Sequence, residues 1–447
     1  MNLLSLGEKT VKLAEKLGAD ECEVYLTSVD GNSITFADKI ESVGSFSSTG
    51  LGVRLIVNKR IGFYSTSSLS DKATKQAVRT ALAIAKASNQ NHEWVSLPTR
   101  TGKAQVKGVF DKEIEVMKPS VIADAVALII DGVHGYDKRL ALTRSSISVG
   151  VGKDAISNSY GTSLERSESF ASASVEVKAE EAGKKGAAGE SRLTRNWGEI
   201  DFQALFCPAA ERALKAMDAK SIASERMPIV WMNDVFARIL SVMFGGTLSA
   251  DSVQSRRSPW AGRLESQISS DNFNLVDDGL REAGVGTREF DDDGIPQQMT
   301  PIISKGILKN FLYDNYTANK DKVLSTGNAH RSYTSFPTPY PNNLTLKPTN
   351  VRLEELIEET EHGLYVTETI GEWLSNPISG DLSATVTNGF LIEKGELTQP
   401  VKDVIISGNF FKIINGGINL IANDLQNSGS TYAPSIRVAE MALTESK

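Results

Sequence analysis

The chain has 447 residues, more than one hydrophobic core usually organises, and its length points to two or three domains. A composition of 40% hydrophobic and 23% charged residues excludes a disordered, collagen-like or coiled-coil protein. With 48 Lys and Arg against 55 Asp and Glu the net charge is −7, which argues against general nucleic-acid binding through clustered basic residues.

The elements follow in chain order. Leu3, Leu6, Leu13, Ala14 and Leu17 recur at helical spacing, and Gly18 stops the run. Cys22, Val24 and Leu26 then alternate with polar residues. Asp30-Gly31-Asn32 predicts a hairpin turn before Ile34 and Phe36. A second β pair runs from Leu51 to Val57 and from Ile61 to Ser65, around the polar turn Asn58-Lys59-Arg60. Ser70 is the expected N-cap of a helix carrying Ala77, Ala81, Ile84 and Ala85 on one face. The stretch from His92 to Val109 is polar and irregular. Pro119 or Ser120 opens another helix, expected to end at Gly132. Leu140 to Val177 predicts strands around the turn Asn158-Ser159-Tyr160-Gly161, and Glu180 to Arg195 is expected as a loop or hinge. Pro208 is placed at the start of a helix with Ala209, Ala213 and Met217 inward. Pro228 to Met232 is a short apolar strand, and Asp234 is the expected cap of a helix with Val235, Phe236, Ile239, Leu240 and Met243 on one side. Beyond residue 260, tight turns at Asp293-Gly294, Lys305-Gly306 and Lys394-Gly395 separate short strands. Leu353 to Glu361 is the clearest late helix.

Strands joined by tight turns predict an α+β protein with largely antiparallel sheets, flanking helices and a strand-rich C-terminal domain. The expected divisions are 1–110, 111–222 and 223–447. The charged opening segment, with Glu8, Lys9 and Lys12, lacks the apolar stretch of a signal peptide. No run approaches the ~18 uncharged apolar residues of a membrane span. Two widely separated cysteines, Cys22 and Cys207, fit a reducing compartment. A cytoplasmic protein with no membrane segment is therefore expected.

Motif chemistry is sparse. His92, His134, His330 and His362 never fall within one helical turn, so there is no preformed H-E-x-x-H pair. Asp277-Asp278 and Asp291-Asp292-Asp293-Gly294 lack the alternate spacing of an EF-hand and are expected as turns. Gly183-Lys184-Lys185-Gly186 is not a P-loop, Gly284-Val285-Gly286 lacks a third glycine, and no G-x-S-x-G occurs. Cys207 before Pro208 would have a lowered pKa if it opened a helix, although packing is the simpler role.

Three late stretches carry a resemblance. They are Asp292 to Pro296 with Ile303 to Asp314, then Ser325-Thr326-Gly327-Asn328-Ala329, and then Asn376-Pro377-Ile378-Ser379-Gly380-Asp381-Leu382-Ser383 continuing through Gly389 to Val401. Their order and spacing resemble the TldD/PmbA family, and Gly44 to Val57 and Asn158 to Gly161 fit its N-terminal half. The resemblance implies a proteolytic complex of two related chains that cuts peptides and unfolded polypeptides. In that family the TldD chain carries a zinc motif H-E-x-x-x-H and a later cysteine ligand. Here the matching positions are Ser241, Val242 and Gly246, and the region from Asn423 to Gly429 has no cysteine. A catalytic zinc needs about three protein ligands and a base near its water, and these residues supply neither.

The resemblance thus implies a TldE (PmbA)-like, zinc-free subunit, with no cofactor in this chain and zinc in the partner. Its expected partners are a TldD-like catalytic chain or a second copy, with unfolded peptides as substrate and neither nucleic acid nor membrane. Asn376, Ser379, Gly380 and Asp381 are the candidate peptide-groove loop, which the strand edges would complement by β-augmentation. Two alternatives stand beside this one. The first is a homodimeric binding protein without proteolysis, in keeping with the older family label of DNA gyrase modulator. The second is an autonomous hydrolase using a serine with His330 or His362.

Overall fold

The protein is described here from a computed structural model that covers residues 2–445. Helix α1 (Leu3–Lys16) is capped by Asn2, whose side chain accepts from the Ser5 amide. Seven antiparallel strands follow: β1 (Glu21–Phe36), β2 (Ile40–Val57), β3 (Arg60–Thr66), β4 (Leu140–Leu142), β5 (Ser145–Asn158), β6 (Ser163–Glu181) and β7 (Lys184–Thr194). They form one sheet in the order β3-β2-β1-β5-β6-β4, with β7 on β6. Residues on both sides of position 110 therefore share this sheet.

Helices α2 (Asp71–Ala87), α3 (Lys112–Glu115), α4 (Pro119–Tyr136) and α5 (Phe202–Ala216) complete the N-terminal half. Strand alternation assigns the faces. Val24, Leu26, Leu51 and Val53 pack under α1 and α2, while Ile34, Ile147, Ala173 and Val175 pack under α4 and α5. The helices thus cover one face of the sheet.

Several local expectations need correction. Asp30-Gly31-Asn32 is not a turn, because β1 runs straight through it and pairs with β2 and β5 on both sides. Gly31 is there for clearance: a Cβ would lie 2.3 Å from the Phe46 ring and from the Val149 carbonyl oxygen. Gly132 lies inside α4 for a similar reason, since the Phe206 ring occupies the space of its missing side chain. Glu180 to Arg195 is mostly β7, paired along its length with β6. Pro208 lies inside α5, whose cap is Asp201 accepting from the Ala204 amide. Cys207 is consequently mid-helix, and burial pushes its thiol up. The turn at Asn58-Lys59 holds, with φ of 50° and 61°, as two-residue hairpins require.

The C-terminal half begins with β8 (Glu225–Trp231) and helix α6 (Asn233–Phe244). Asp234 is in the first turn of α6, but the capping position is Met232. A seven-stranded sheet holds β8, and a six-stranded sheet holds Leu275–Asp278 and Thr431–Ala433. Most pairs are antiparallel. Two parallel pairs join β8 to His362–Ile370 and Leu344–Leu346 to Thr431–Ala433. One large core, with Phe236, Phe244, Phe273 and Phe410 fully buried, fills the space around α6.

Candidate functional site

Helix α6 carries Ser241 and Val242, and Gly246 follows just after its end. Its apolar side, Val235, Phe236, Ile239, Leu240 and Met243, is buried in the C-terminal core. Asp234, Arg238, Ser241 and Gly245 fall on the other stripe at helical spacing. The helix packs against strands Gln426–Ser428 and Thr431–Ala433, so the fold does bring α6 beside the region from Asn423 to Gly429. Its first turn is tied there directly, because the Asn233 amide nitrogen Nδ2 donates to the Asp424 backbone oxygen at 2.7 Å.

The donor set at this place does not fit a metal. Ser241 offers only a half-buried hydroxyl, Val242 packs against the core, and Gly246 has no side chain. A Cβ at Gly246 would meet nothing within 4 Å, so the space beside it is open. One residue earlier, at Gly245, a Cβ would lie 2.7 Å from the Tyr340 hydroxyl. Among the described residues no group of three or more His, Cys, Asp or Glu side chains is arranged to hold a metal ion.

The same stripe of α6 walls a polar cleft of about 200 Å³ between the two halves of the protein. Ser174, Glu176 and Ser191 of β6 and β7 line one side, and Asp234, Arg238 and Glu368 line the other. Arg238 ion-pairs with Asp234 and, at 2.8 Å, with Glu372, which is buried. Burial pushes the Glu368 carboxyl up, against its hydrogen bond from Asn388.

Glu372 opens the short helical turn Glu372–Leu374, and the candidate loop follows it. Arg238 therefore connects the motif helix to the loop at Asn376. The loop's polar groups are used within it. The Asn376 Oδ1 accepts from the Ile378 amide, the Ser379 hydroxyl donates to Asp381 at 2.6 Å, and the Asn376 amide donates to the Asp381 carbonyl oxygen. Gly380, at φ 80°, is packed against the Phe411 ring. What this region turns outward is apolar: Trp373, Leu374 and Ile378 are 59%, 80% and 57% exposed. A scan for polar groove residues passes over them.

The histidines are dispersed. His134 pairs with Asp38 and His362 with Glu225, both at the surface. His330 is enclosed: its Nε2 is 3.0 Å from the Asn342 Oδ1, and its Nδ1 is 3.1 Å from Arg288. Burial, with Arg288 adding to it, lowers its pKa to about 3, so the imidazole is neutral at neutral pH. Neither His330 nor His362 hydrogen-bonds a serine among the described residues, which leaves the serine–histidine alternative without geometry.

The acidic run Asp291-Asp292-Asp293 is the largest departure from the sequence reading. It is a turn, but a fully buried one, wedged between the halves of the protein. Arg166 of β6 bridges Asp154 at 2.8 Å and Asp292 at 2.6 Å. Arg54 of β2 pairs with Glu23 at 2.9 Å and Asp293 at 3.3 Å, and Arg331 reaches Glu23 at 2.6 Å. Burial pushes Asp292 and Glu23 up, but their arginines outweigh it and hold both carboxyls below the usual range. Asp293 and Asp291 go the other way: burial raises both, and Asp293 stands at about 7. Alternation gives only a partial signal: Arg54 is a charge between Val53 and Leu55, but Glu23 falls in the polar register of β1, opposite Val24 and Leu26, and reads as facing solvent.

Family models match nearly the whole chain. Residues 22–85 match PmbA/TldA metallopeptidase domain 1, residues 115–217 the central domain, and residues 224–445 the C-terminal domain. The chain belongs to the PmbA/TldD family. It is 25% identical over 454 residues to the metalloprotease PmbA homolog of Haemophilus influenzae, covering 97% of this chain and 94% of that one. It is also 25% identical over 415 residues to the metalloprotease TldD homolog of the same organism, covering 90% and 86%. Identity alone does not separate the two branches, so the motif residues must. The fold matches TldE from Thermococcus kodakarensis with a TM-score of 0.91 at 22% identity, over 98% of this chain and all of that one. No helix among the described residues is long and apolar enough to cross a membrane.

Proposed function

We propose that this PmbA/TldD protein is the non-catalytic, TldE-like subunit of a zinc-dependent peptidase complex that processes unfolded peptides in the cytoplasm. The carrying observation is α6. The helix is intact, its partner strands are in place, and the positions that would hold and use the metal are Ser241, Val242 and Gly246. Catalytic chemistry then resides in a TldD-like partner chain that carries the zinc. This chain's role is to complete the enclosure around the peptide. The cleft beside Asp234 and Arg238 and the loop from Asn376 to Asp381 form its wall.

The test is hydrolysis of an unstructured fluorogenic peptide by the purified chain, alone and mixed with its H-E-x-x-x-H relative, with and without chelator. Cleavage only in the mixture, abolished by chelator, is the expected result. Cleavage by this chain alone overturns the proposal. If no mixture cleaves but the chain self-associates and binds peptide, the homodimeric binding protein takes its place. Within an active mixture, Asn376→Ala with Asp381→Ala should lower the cleavage rate while the two chains still co-elute. An unchanged rate removes the loop from the groove.

A further inference from the structure

The helix-free face of the N-terminal sheet is divided. Near α1's end of the strands it is covered by the C-terminal half through the charged seam. Further along it is bare. The bare rows hold Val29, Gly31 and Ser33 of β1, flanked by β2 and β5 positions that are mainly glycine and serine. Two aromatic rings stand among them. Phe46 leans in from β2 over Gly31, and Phe170 leans in from β6 over Gly150. Gly31 and Gly150 are directly paired across β1 and β5, so the two rings meet above them. Their centroids are 6.3 Å apart with 19° between their planes. Phe46 is 36% exposed.

We propose that this pair is a stacking platform for apolar and aromatic side chains of an extended polypeptide. Both glycines are needed to build it. A Cβ at Gly31 would lie 2.3 Å from the Phe46 ring, and one at Gly150 would lie 2.8 Å from the Phe170 ring. The rings therefore sit low on a surface otherwise made of small polar side chains, open for a planar or branched apolar group to settle on them.

The charge pattern selects the occupant. The four strand segments 27–33, 42–50, 146–152 and 168–174 contain no Lys or Arg. A stacking surface for single-stranded nucleic acid pairs its rings with a basic groove for the phosphates, and none is present here. A polypeptide needs no such groove, and Ser33, Ser48 and Ser148 can meet its backbone. The same face continues into the cleft beside α6, because Ser174 and Glu176 of β6 line both. A peptide held on Phe46 and Phe170 would therefore lie along the route to the motif helix. The inference deepens the reading of this chain as the wall of a peptidase enclosure and rests on it.

The experiment uses the full chain alone, without the catalytic partner, so its failure is separable from failure of the peptidase assignment. A short labelled unstructured peptide containing two phenylalanines is titrated by fluorescence anisotropy, beside the same peptide with serines in their place. The phenylalanine peptide should bind tighter. Phe46→Ala and Phe170→Ala should each weaken it about fivefold, with little effect on the serine peptide. Ser48→Arg, at an exposed position beside Phe46, gives a second variant that leaves the packing alone and should block the platform as well. Equal affinity for the two peptides overturns the proposal. So does full affinity in the variants when thermal melting shows them folded. A labelled oligothymidine that binds as tightly as the phenylalanine peptide also overturns it, in favour of a nucleic-acid surface.

Discussion

One face of one sheet carries two opposite chemistries, and the contrast shows how the protein is divided. In its covered half, Glu23, Arg54, Asp154 and Arg166 are buried charges that meet Asp292, Asp293 and Arg331 from the C-terminal half. In its open half the same strands present Gly31, Ser33, Ser148 and Gly150, and two phenylalanines stand over the glycines. The covered half contributes fixed geometry, because each buried charge must find its partners or pay a desolvation penalty. The open half contributes access, since small side chains need no partner and leave room above the sheet.

The covered half should break most visibly at Arg166. Its guanidinium bridges two buried carboxylates, and its face lies 5.0 Å from the Phe290 ring centroid. Arg166→Met keeps the stem but leaves Asp154 and Asp292 short of a cation. A loss of about 3–5 kcal/mol is expected, read by urea denaturation. Arg166→Lys should recover only part of it, because one ammonium between the two carboxylates cannot also replace the Nε bond to Asp154 and the Nη1 bond to the Phe290 carbonyl oxygen. A loss under about 1 kcal/mol for the methionine variant would mean that the seam does not hold the halves together.

This seam was also the part least legible in the sequence. The turn at Asn58-Lys59, the Ser70 cap and the apolar face of α6 are local signals, and each was readable from neighbouring residues. Gly31 and Pro208 misled for one reason: a residue that often breaks structure was tolerated because of something distant or already capped. Phe46 lies fifteen positions from Gly31, and α5 already has its start at Asp201. Asp291-Asp292-Asp293 was legible as a turn, but its burial depends on β1, β2 and β6, more than a hundred residues away. The motif positions Ser241, Val242 and Gly246 were legible only through family resemblance, since alone they read as an ordinary helix end.

Titration sharpens the contrast, because the covered half is the half that senses protons. Asp293 has its folded pKa raised to about 7 and Asp277 to about 6, both chiefly by burial. Between roughly pH 4 and these values the folded state holds more protons than the unfolded chain. Stability therefore falls as pH rises through that window, by up to about 1.4 kcal/mol per pH unit for each proton. Asp292 and Glu23 have lowered folded pKa values, so their contribution is present above the ordinary carboxylate range and is lost as pH falls through it. Melting temperature should then peak at about pH 4 and decline on both sides. Asp293→Asn should flatten the decline between about pH 5 and 7.5, and an unaltered profile would remove Asp293 from the titration.

The open half should respond far less, and two of its glycines give an internal control. Gly31 and Gly44 lie on the same face, on neighbouring strands. A Cβ at Gly31 would collide with the Phe46 ring and with the Val149 carbonyl oxygen, which is backbone and cannot swing away. Gly31→Ala should therefore cost about 1–3 kcal/mol, as overpacking does. A Cβ at Gly44 would meet nothing within 4 Å, and its φ is ordinary. Gly44→Ala should leave stability unchanged or raise it by about 0.5 kcal/mol, because glycine in a strand gives up more chain entropy than alanine. Chemical denaturation of the two variants side by side decides the matter. If both were neutral, Phe46 would be free to move off Gly31, and the glycine pair would not be what seats the two rings.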